Sequence, residues 1–269
     1  MLNNQAEAGN KQADKVLISK KTDRFFASIY DVVLFVGRFF KEVFKKPFEG
    51  NEIIRQCYNV GYKSLALITL TGFITGLVFT KQSRPSLSEF GATSWLPSLV
   101  AIAIIRALAP LVTALICAGK VGSSIGAELG SMKVTEQIDA MEVSAVNPFK
   151  FLIVSRVVAT TIMLPLLMMY TAFVAMLGAY LDIHMNELTS FTAFVQSAFQ
   201  KITFLDYTSS IIRAIVYGFT IGMVGCYKGY TTSQGTEGVG KAANMSVVVS
   251  MFFIFVEEMI IVQIVNALR

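Results

Sequence analysis

Long apolar blocks alternate with short polar segments along this chain, and the length of a block limits what it can form. A helix needs ~20 mainly apolar residues to cross the hydrocarbon core of a bilayer. Five blocks reach that length, at about 62–80, 96–118, 151–181, 207–227 and 245–268. The third contains Pro165, and the fourth and fifth include charged residues. The pattern therefore predicts an all-α membrane protein with five transmembrane helices.

The segment at 24–44, before the first of these spans, has a more polar pattern. Its apolar residues, among them Phe25 and Ile29, recur with a helical period and have charged residues between them. A helix of this kind lies in the membrane interface, and a tilted sixth span is the alternative. Another short helix is predicted to begin at Asn51–Glu52. The chain thus divides into a polar tail at 1–23, interfacial and elbow helices at 24–61, and a five-span domain at 62–269.

Composition and charge agree with a membrane protein. Charged residues make up 15% of the 269 residues, against roughly 25% in soluble domains, and the mean hydropathy is +0.60. The net charge of +5 does not indicate nucleic-acid binding, because many basic residues lie in the N-terminal part of the chain. Basic residues placed there are typical of a cytoplasmic N-terminus. The segments at 119–148 and 228–244 are then cytoplasmic, and those at 81–95 and 182–206 face the other side.

Four charged residues fall inside the predicted spans: Arg106, Arg213, Glu257 and Glu258. An ion at the bilayer centre costs about 2.5–3.5 kcal/mol on insertion scales, so it usually faces a partner or a wet cavity. These residues either line a polar route for a substrate or form a structural pair, such as Arg106 or Arg213 with Glu258. Arg156 lies near a membrane end, where a long side chain can snorkel to the interface.

Two pairs of glycines that lie wholly inside the predicted spans have the GxxxG spacing that lets helices approach closely. They are Gly72 with Gly76 in the first span and Gly218 with Gly222 in the fourth. The same spacing serves packing within one chain or association between two copies, and the sequence leaves both open.

No motif indicates an active site or a metal site. The chain has one histidine, three scattered cysteines and no H-E-x-x-H, so we expect no catalytic residue and no metal ligand. Residues Gly235 to Lys241 match part of a phosphate-binding loop, but Ala242 replaces the hydroxyl residue that would hold Mg²⁺. A flexible cytoplasmic turn is expected there instead.

The segment Gly119–Pro148, between the second and third spans, has the pattern of an amphipathic helix after a glycine-rich start. Ile138 and Met141 share one helical face with other apolar residues, while Asp139 lies on another face. Asn147-Pro148 ends the run, since the residue before a proline is pushed out of the α region. Such a helix at the cytoplasmic mouth could dock into a groove of a soluble partner, and a solvated helical loop is the alternative.

This segment also resembles the MlaE/YrbE permease family, the membrane subunits of ABC transporters that move phospholipids and other lipids between membranes. The matching elements are Ala118-Gly119-Lys120, Ala127-Glu128-Leu129-Gly130, Met132-Lys133, Thr135-Glu136-Gln137-Ile138, Met141-Glu142 and Val146-Asn147-Pro148. Weaker similarity extends to Gln56–Gly61 and Gly238–Ala242. Many members have Arg-Glu-Leu-Gly-Pro in the second span. Here the matching residues are Arg106-Ala107-Leu108-Ala109-Pro110, in which Ala107 replaces the acid and Ala109 the glycine. Members of the family often carry an acidic residue near the position of Glu258, so the resemblance favours Glu258 as the partner of Arg106.

The resemblance implies an interfacial helix, five spans and a cytoplasmic coupling helix, in a multi-pass protein of the bacterial inner membrane with a cytoplasmic N-terminus. It also implies a homodimer, a periplasmic MCE-domain protein, a phospholipid substrate, and a separate ABC ATPase subunit that binds ATP and Mg²⁺. This chain would then have no cofactor and no enzymatic activity. Residues expected to contact the ATPase are Glu128, Met132, Thr135, Glu136, Gln137, Ile138, Asp139 and Met141. Residues expected to line the lipid cavity are Leu70, Phe73, Ile74, Leu77 and Arg106.

Two other functions fit parts of the pattern. A secondary transporter or channel would use Arg213, Glu257 and Glu258 for ion coupling, although the sequence lacks the repeated halves of many such proteins. A membrane scaffold would use Gly119–Pro148 only to recruit a partner.

Overall fold

The computed structural model of the protein describes residues 26–46, 49–233 and 235–267, which belong to two units, 1–47 and 48–269. Helix α1, residues 26–43, is the described part of the first unit. It contains four charged residues and does not have the apolar composition of a span. Its place in the membrane interface stays a prediction. The tail at 1–23 and the first two residues of the predicted helix, Arg24 and Phe25, lie outside the described residues.

The second unit is helical along most of its described length. Its helices are α2 Gly50–Val60, α3 Leu65–Glu89, α4 Leu96–Ala103, α5 Ala109–Cys117, α6 Ser123–Val134, α7 Gln137–Val143, α8 Ser155–Glu187, α9 Phe191–Phe199, α10 Phe204–Tyr230 and α11 Gly235–Ala267. Wider π-helical turns at Ile104–Leu108 and Ala118–Gly122 join α4, α5 and α6 into one helix, Thr93–Val134. Another π-helical segment, Phe149–Val154, leads into α8. α2 begins where the sequence predicts a short helix.

Five helical stretches within the described residues are long and apolar enough to cross a membrane, which confirms the predicted number of spans. They are Gly50–Glu89, Thr93–Val134, Phe149–Glu187, Phe204–Tyr230 and Gly235–Ala267. Each extends beyond the apolar block that predicted it, and the third runs through Pro165 without ending. The flexible turn expected at Gly235–Lys241 is wrong, because these residues form the first turns of α11. They are held there by packing, since Val239 lies against Gly130 of α6.

Helix α8 lies at the centre of the bundle, with α3 on one side and α10 on the other. Helix α10 also packs against α6 and α11, while α9 covers α4 at the end of the bundle opposite α7. The largest core cluster forms where α4, α8, α9 and α10 meet, and includes Leu96, Ile104, Ile183 and Phe194. Helices α3 and α11 are at the outside of this arrangement, and each keeps one long apolar face exposed.

The GxxxG pairs are used for packing within the chain. Gly72 and Gly76 lie against Thr171 and Ala175 of α8, so that the α3 and α8 backbones touch. In the same way, Gly218 and Gly222 of α10 face α8 around Thr160. Close contacts of this kind give van der Waals attraction, which replaces the hydrophobic effect as the force between helices in lipid.

Replacing Gly76 by alanine should separate α3 from α8. A Cβ atom at this position would overlap the main chain of Ala175, so we expect Gly76→Ala to cost about 1–3 kcal/mol of stability. The midpoint of thermal unfolding in mild detergent measures the loss. The control is Gly240→Ala, a helical position with no heavy atom within 4 Å of the added Cβ, where alanine should be neutral or stabilising. Equal midpoints for the two variants would contradict this account of the packing.

Candidate functional site

The first half of the predicted coupling segment continues the second span and is not a polar loop. The helix runs on through Gly119 to Val134, and its α6 part is clamped between α10 and α11. Gly229 of α10 packs against Gly126 and Leu129, where an added Cβ would lie 2.9 Å from the Gly126 carbonyl oxygen. Small residues make this part of the chain polar in composition, but they serve close helix packing.

The second half of the segment bends sharply at Glu136, so the single amphipathic helix that the sequence predicts is wrong. Glu136 has a φ of 57°, in the left-handed region, and Ala145 has a φ of 60°. Between them lies the short helix α7, Gln137–Val143. The Nζ atom of Lys133 donates to Oδ1 of Asp139 at 2.9 Å and so ties α6 to α7 across the bend. Left-handed backbone at a non-glycine residue costs about 1–3 kcal/mol and concentrates at functional sites.

The predicted ATPase-contacting residues divide into an anchor and an exposed set. Ile138 is fully buried and holds α7 against the bundle. Met132 and Met141 are half-buried, whereas Thr135, Glu136, Gln137 and Asp139 are exposed. Our sequence analysis missed Val143, the last residue of α7, whose surface is 90% exposed. A valine in this position offers an apolar contact to a partner. The helical period did not identify it, because a period does not show which side chains stay exposed.

Glu128 belongs to a different environment from the rest of the set. Its Oε1 atom lies 2.9 Å from Nη2 of Arg156, and Nη1 of Arg156 donates to the Leu152 carbonyl oxygen at 2.9 Å. Arg156 is only 2% exposed, so the expectation that it snorkels to the interface is wrong. Both residues border a polar cavity of about 460 Å³ between α2, α6, α7 and the start of α8.

Arg106 pairs with Asp206, and the predicted Arg106–Glu258 pair is therefore wrong. The Nε atom of Arg106 lies 2.7 Å from Oδ1 of Asp206, and its Nη2 atom donates to Oδ2 at 3.0 Å. Asp206 is 1% exposed and also accepts a 2.9 Å hydrogen bond from the backbone N–H of Thr203, at the start of α10. Sequence analysis missed Asp206 because it falls just before the apolar block of the fourth span.

Glu258 pairs instead with Arg213, the other partner that the sequence allowed. The Nη1 atom of Arg213 lies 2.7 Å from Oε1 of Glu258 and donates to the Arg106 carbonyl oxygen at 2.6 Å. The Tyr217 hydroxyl donates to the second carboxylate oxygen of Glu258. The π-helical turn at Ile104–Leu108 shifts the backbone hydrogen-bond pattern, and Arg213 uses a carbonyl there. This network joins the second, fourth and fifth spans.

The remaining predicted residues lie on the two outer helices, α3 and α11. Leu70 is 60% exposed and Ile74 48% exposed, whereas Phe73 and Leu77 are half-buried where α3 meets α8. Glu257 stands apart from the Arg213 network, with Oε1 accepting a 2.5 Å hydrogen bond from the Thr220 hydroxyl. The structure therefore separates the exposed apolar face of α3 from the paired charges of α10 and α11.

Residues 53–264 match the family model described as Permease MlaE. The chain belongs to the MlaE permease family. This membership confirms the resemblance found in the segment around α6 and α7. The matched range also contains the α7 bend and the residues of the charge network.

Curated relatives agree with this membership along almost the whole permease. A probable ABC transporter permease protein of Rickettsia typhi is 34% identical over 249 residues, which are 92% of this chain and 96% of the relative. One from Synechocystis is 31% identical over 87% of this chain and 89% of its own length. The chloroplastic protein TRIGALACTOSYLDIACYLGLYCEROL 1 of Arabidopsis thaliana is 30% identical over 86% of this chain and 66% of its own.

The protein is thus a multi-pass membrane protein and the permease subunit of an ABC transporter. Permeases of this kind are transport subunits, which confirms the expectation that the chain is not an enzyme. An ABC permease works with an ATPase partner, so the competing assignment as a secondary transporter or channel loses its basis.

The Arg213–Glu258 pair should show the energetics of a buried ion pair. Glu258→Met leaves the buried Arg213 guanidinium without its carboxylate, and we expect a loss of about 3–5 kcal/mol. The double variant Arg213→Met/Glu258→Met removes both charges and should recover part of that stability. Unfolding in detergent measures both. Glu257→Met is the matched control, since it removes a neighbouring acid that has no arginine partner among the ion pairs of the described residues. A double variant less stable than Glu258→Met would refute the pairing.

Proposed function

We propose that this permease moves phospholipids or related lipids between membranes, driven by a separate ATPase subunit that binds the α6–α7 segment. The observation that carries the proposal is the α7 helix, which presents exposed side chains beyond a strained turn and is anchored by Ile138. A short rigid helix at the end of a spanning helix suits the transfer of force from a soluble partner. Lipid as the cargo is supported by the Arabidopsis relative, whose name refers to a glycolipid.

The helix that ends at the α7 bend also provides a path for this force. It is continuous from Thr93 to Val134, so a push at α7 reaches the π-helical turn at Ile104–Leu108 and the carbonyl that Arg213 holds. Conformational changes in packed helices occur as small rigid shifts between alternative arrangements. In our proposal, ATP binding and hydrolysis by the partner move this helix relative to α10 and α11 and so open or close a lipid-binding space.

The lipid-binding space itself is proposed to form between two copies of the chain. Helix α11 buries little of its apolar stretch within the single chain, whereas α10 buries most of its own. The first span leaves Leu70 and Ile74 exposed on a similar face. A second copy packed on these faces would enclose acyl chains between them, with Phe73 and Leu77 at the edge. Arg106, whose side chain is 31% exposed, would meet the headgroup phosphate.

The proposal also includes an orientation of the chain in the membrane and a second protein partner. The N-terminus and α7 face the cytoplasm of a bacterial inner membrane, since basic residues concentrate near the N-terminus. The opposite end, with α9, faces the periplasm, where an MCE-domain protein would receive or deliver the lipid. ATP and Mg²⁺ are bound by the ATPase subunit.

Affinity purification in mild detergent tests the function directly. Mass spectrometry of the purified material should find an ABC ATPase and an MCE-domain protein together with phospholipid in excess of a detergent-matched control membrane protein. Recovery of the chain without an ATPase would overturn the proposed coupling. Recovery of the complex without phospholipid would overturn the proposed cargo.

Reversing one charge on the coupling segment should uncouple the ATPase. Glu136→Lys changes an exposed residue at the α7 bend, so insertion and folding should be retained while ATPase co-purification falls severalfold. Quantitative immunoblotting of the eluate, normalised to the permease, measures the change. Glu89→Lys makes the same reversal at an exposed position at the end of α3, on the opposite end of the bundle, and should leave assembly intact. Equal co-purification of both variants would exclude this surface as the contact.

A further inference from the structure

An apolar cavity of about 290 Å³ opens on the side of the bundle formed by α8, α9 and α10. Ile105, from the π-helical turn of the second span, also lines it. Helix α9 lies at the end of the bundle opposite α7, and the cavity extends from α9 along α8 into the bilayer region. The exposed faces of α3 and α11 take no part in its lining, so this site is distinct from the proposed space between two copies.

The dimensions of the cavity match one hydrocarbon chain. Its lining on α8 runs from Met168 to Leu177, a rise of about 13 Å along the helix, which is close to one leaflet of a ~30 Å hydrocarbon core. Its volume of about 290 Å³ exceeds the ~150 Å³ of an apolar cavity that binds a single benzene ring.

The chemistry of the walls also favours hydrocarbon. Every lining side chain is uncharged, and most are aliphatic, aromatic or methionine. The Ser210 hydroxyl is already used, because it donates to the Ile105 carbonyl oxygen at 2.6 Å. Apolar cavities of about 150 Å³ stay dry and bind apolar ligands. Met168, Met169 and Met176 add flexible thioether side chains that adapt to the shape of a ligand.

The mouth of the cavity faces the surroundings of the bundle. Phe173 of α8 is 61% exposed, and Phe199 at the end of α9 is 43% exposed. These rings flank a lateral opening through which a chain can enter from the bilayer without passing through the protein.

We propose that this cavity binds one acyl chain of a bilayer phospholipid, which wedges between α9 and α8 and supports the α9–α10 connection. The site is a peripheral lipid site on each copy of the chain. It depends neither on an ATPase partner nor on a second copy, so its test is independent of the proposed transport function.

Photolabelling locates the chain. The permease, purified with the subunits it retains, is reconstituted into liposomes of phosphatidylethanolamine and phosphatidylglycerol that contain phosphatidylglycerol with a diazirine on one acyl chain. After irradiation, peptide mass spectrometry should find label on Met168–Leu177 and Tyr207–Ile211 severalfold above the label at Ile162 and Leu166. The latter two residues are exposed on α8 outside the cavity and report bulk lipid.

Two variants fill the cavity from different walls. Ala172→Phe adds a ring from α8 and Val195→Phe adds one from α9, and each should reduce the cavity label severalfold. Either variant that keeps the wild-type unfolding midpoint is sufficient for the comparison. Leu166→Phe, the matched control on the exposed surface, should not change it. Unchanged label in a folded cavity-filled variant would overturn the proposal. Labelling that appears only after the partner subunits are removed would also overturn it, because a partner then covers the cavity in the complex.

Discussion

The fold depends on giving each charge inside the membrane a fixed partner. The Arg213 guanidinium contacts the Glu258 carboxylate and the Arg106 carbonyl oxygen at once. Neither the charge nor the carbonyl can turn to water in a bilayer, so each satisfies the other. Because Glu258 is on α11, the same contact holds this outer helix to α10. Most of the apolar surface of α11 is not buried within the chain. The position of α11 is therefore set by polar contacts as much as by apolar packing.

The second span connects these buried contacts to the surface where a partner is proposed to bind. Its helix passes the Arg106–Asp206 pair, the π-helical turn and the clamp of α10 and α11 around α6 before it ends at the α7 bend. A helix held at so many points moves as a unit. Its π-helical turns at Ile104–Leu108 and Ala118–Gly122 depart from the α-helical hydrogen-bond pattern without ending the helix. The architecture thus suits rigid-body coupling better than local unfolding.

Much of the fold follows from the sequence because apolar block length is a direct physical requirement of the bilayer. The features that the sequence did not predict depend on tertiary contacts. The sequence did not predict the helical continuation from Gly119 to Val134, because a segment rich in small residues for helix packing has a composition similar to that of a loop. The left-handed turn at Glu136 is formed by a non-glycine residue, so the sequence carries no signal for it. Asp206 was overlooked since it lies at the edge of its span, and so the partner of Arg106 was misassigned while Arg213–Glu258 was among the pairs considered.

The Asp206 carboxylate has two tasks, because it accepts hydrogen bonds from the backbone N–H and the hydroxyl of Thr203, just before α10, and also balances Arg106. Its position is therefore dictated by where α10 starts, which depends on the few residues that link α9 to α10 at the surface. A change in the length of that link would displace the counter-ion of a guanidinium inside the membrane. A surface connection that would elsewhere tolerate insertions is, in this protein, constrained by an interior charge.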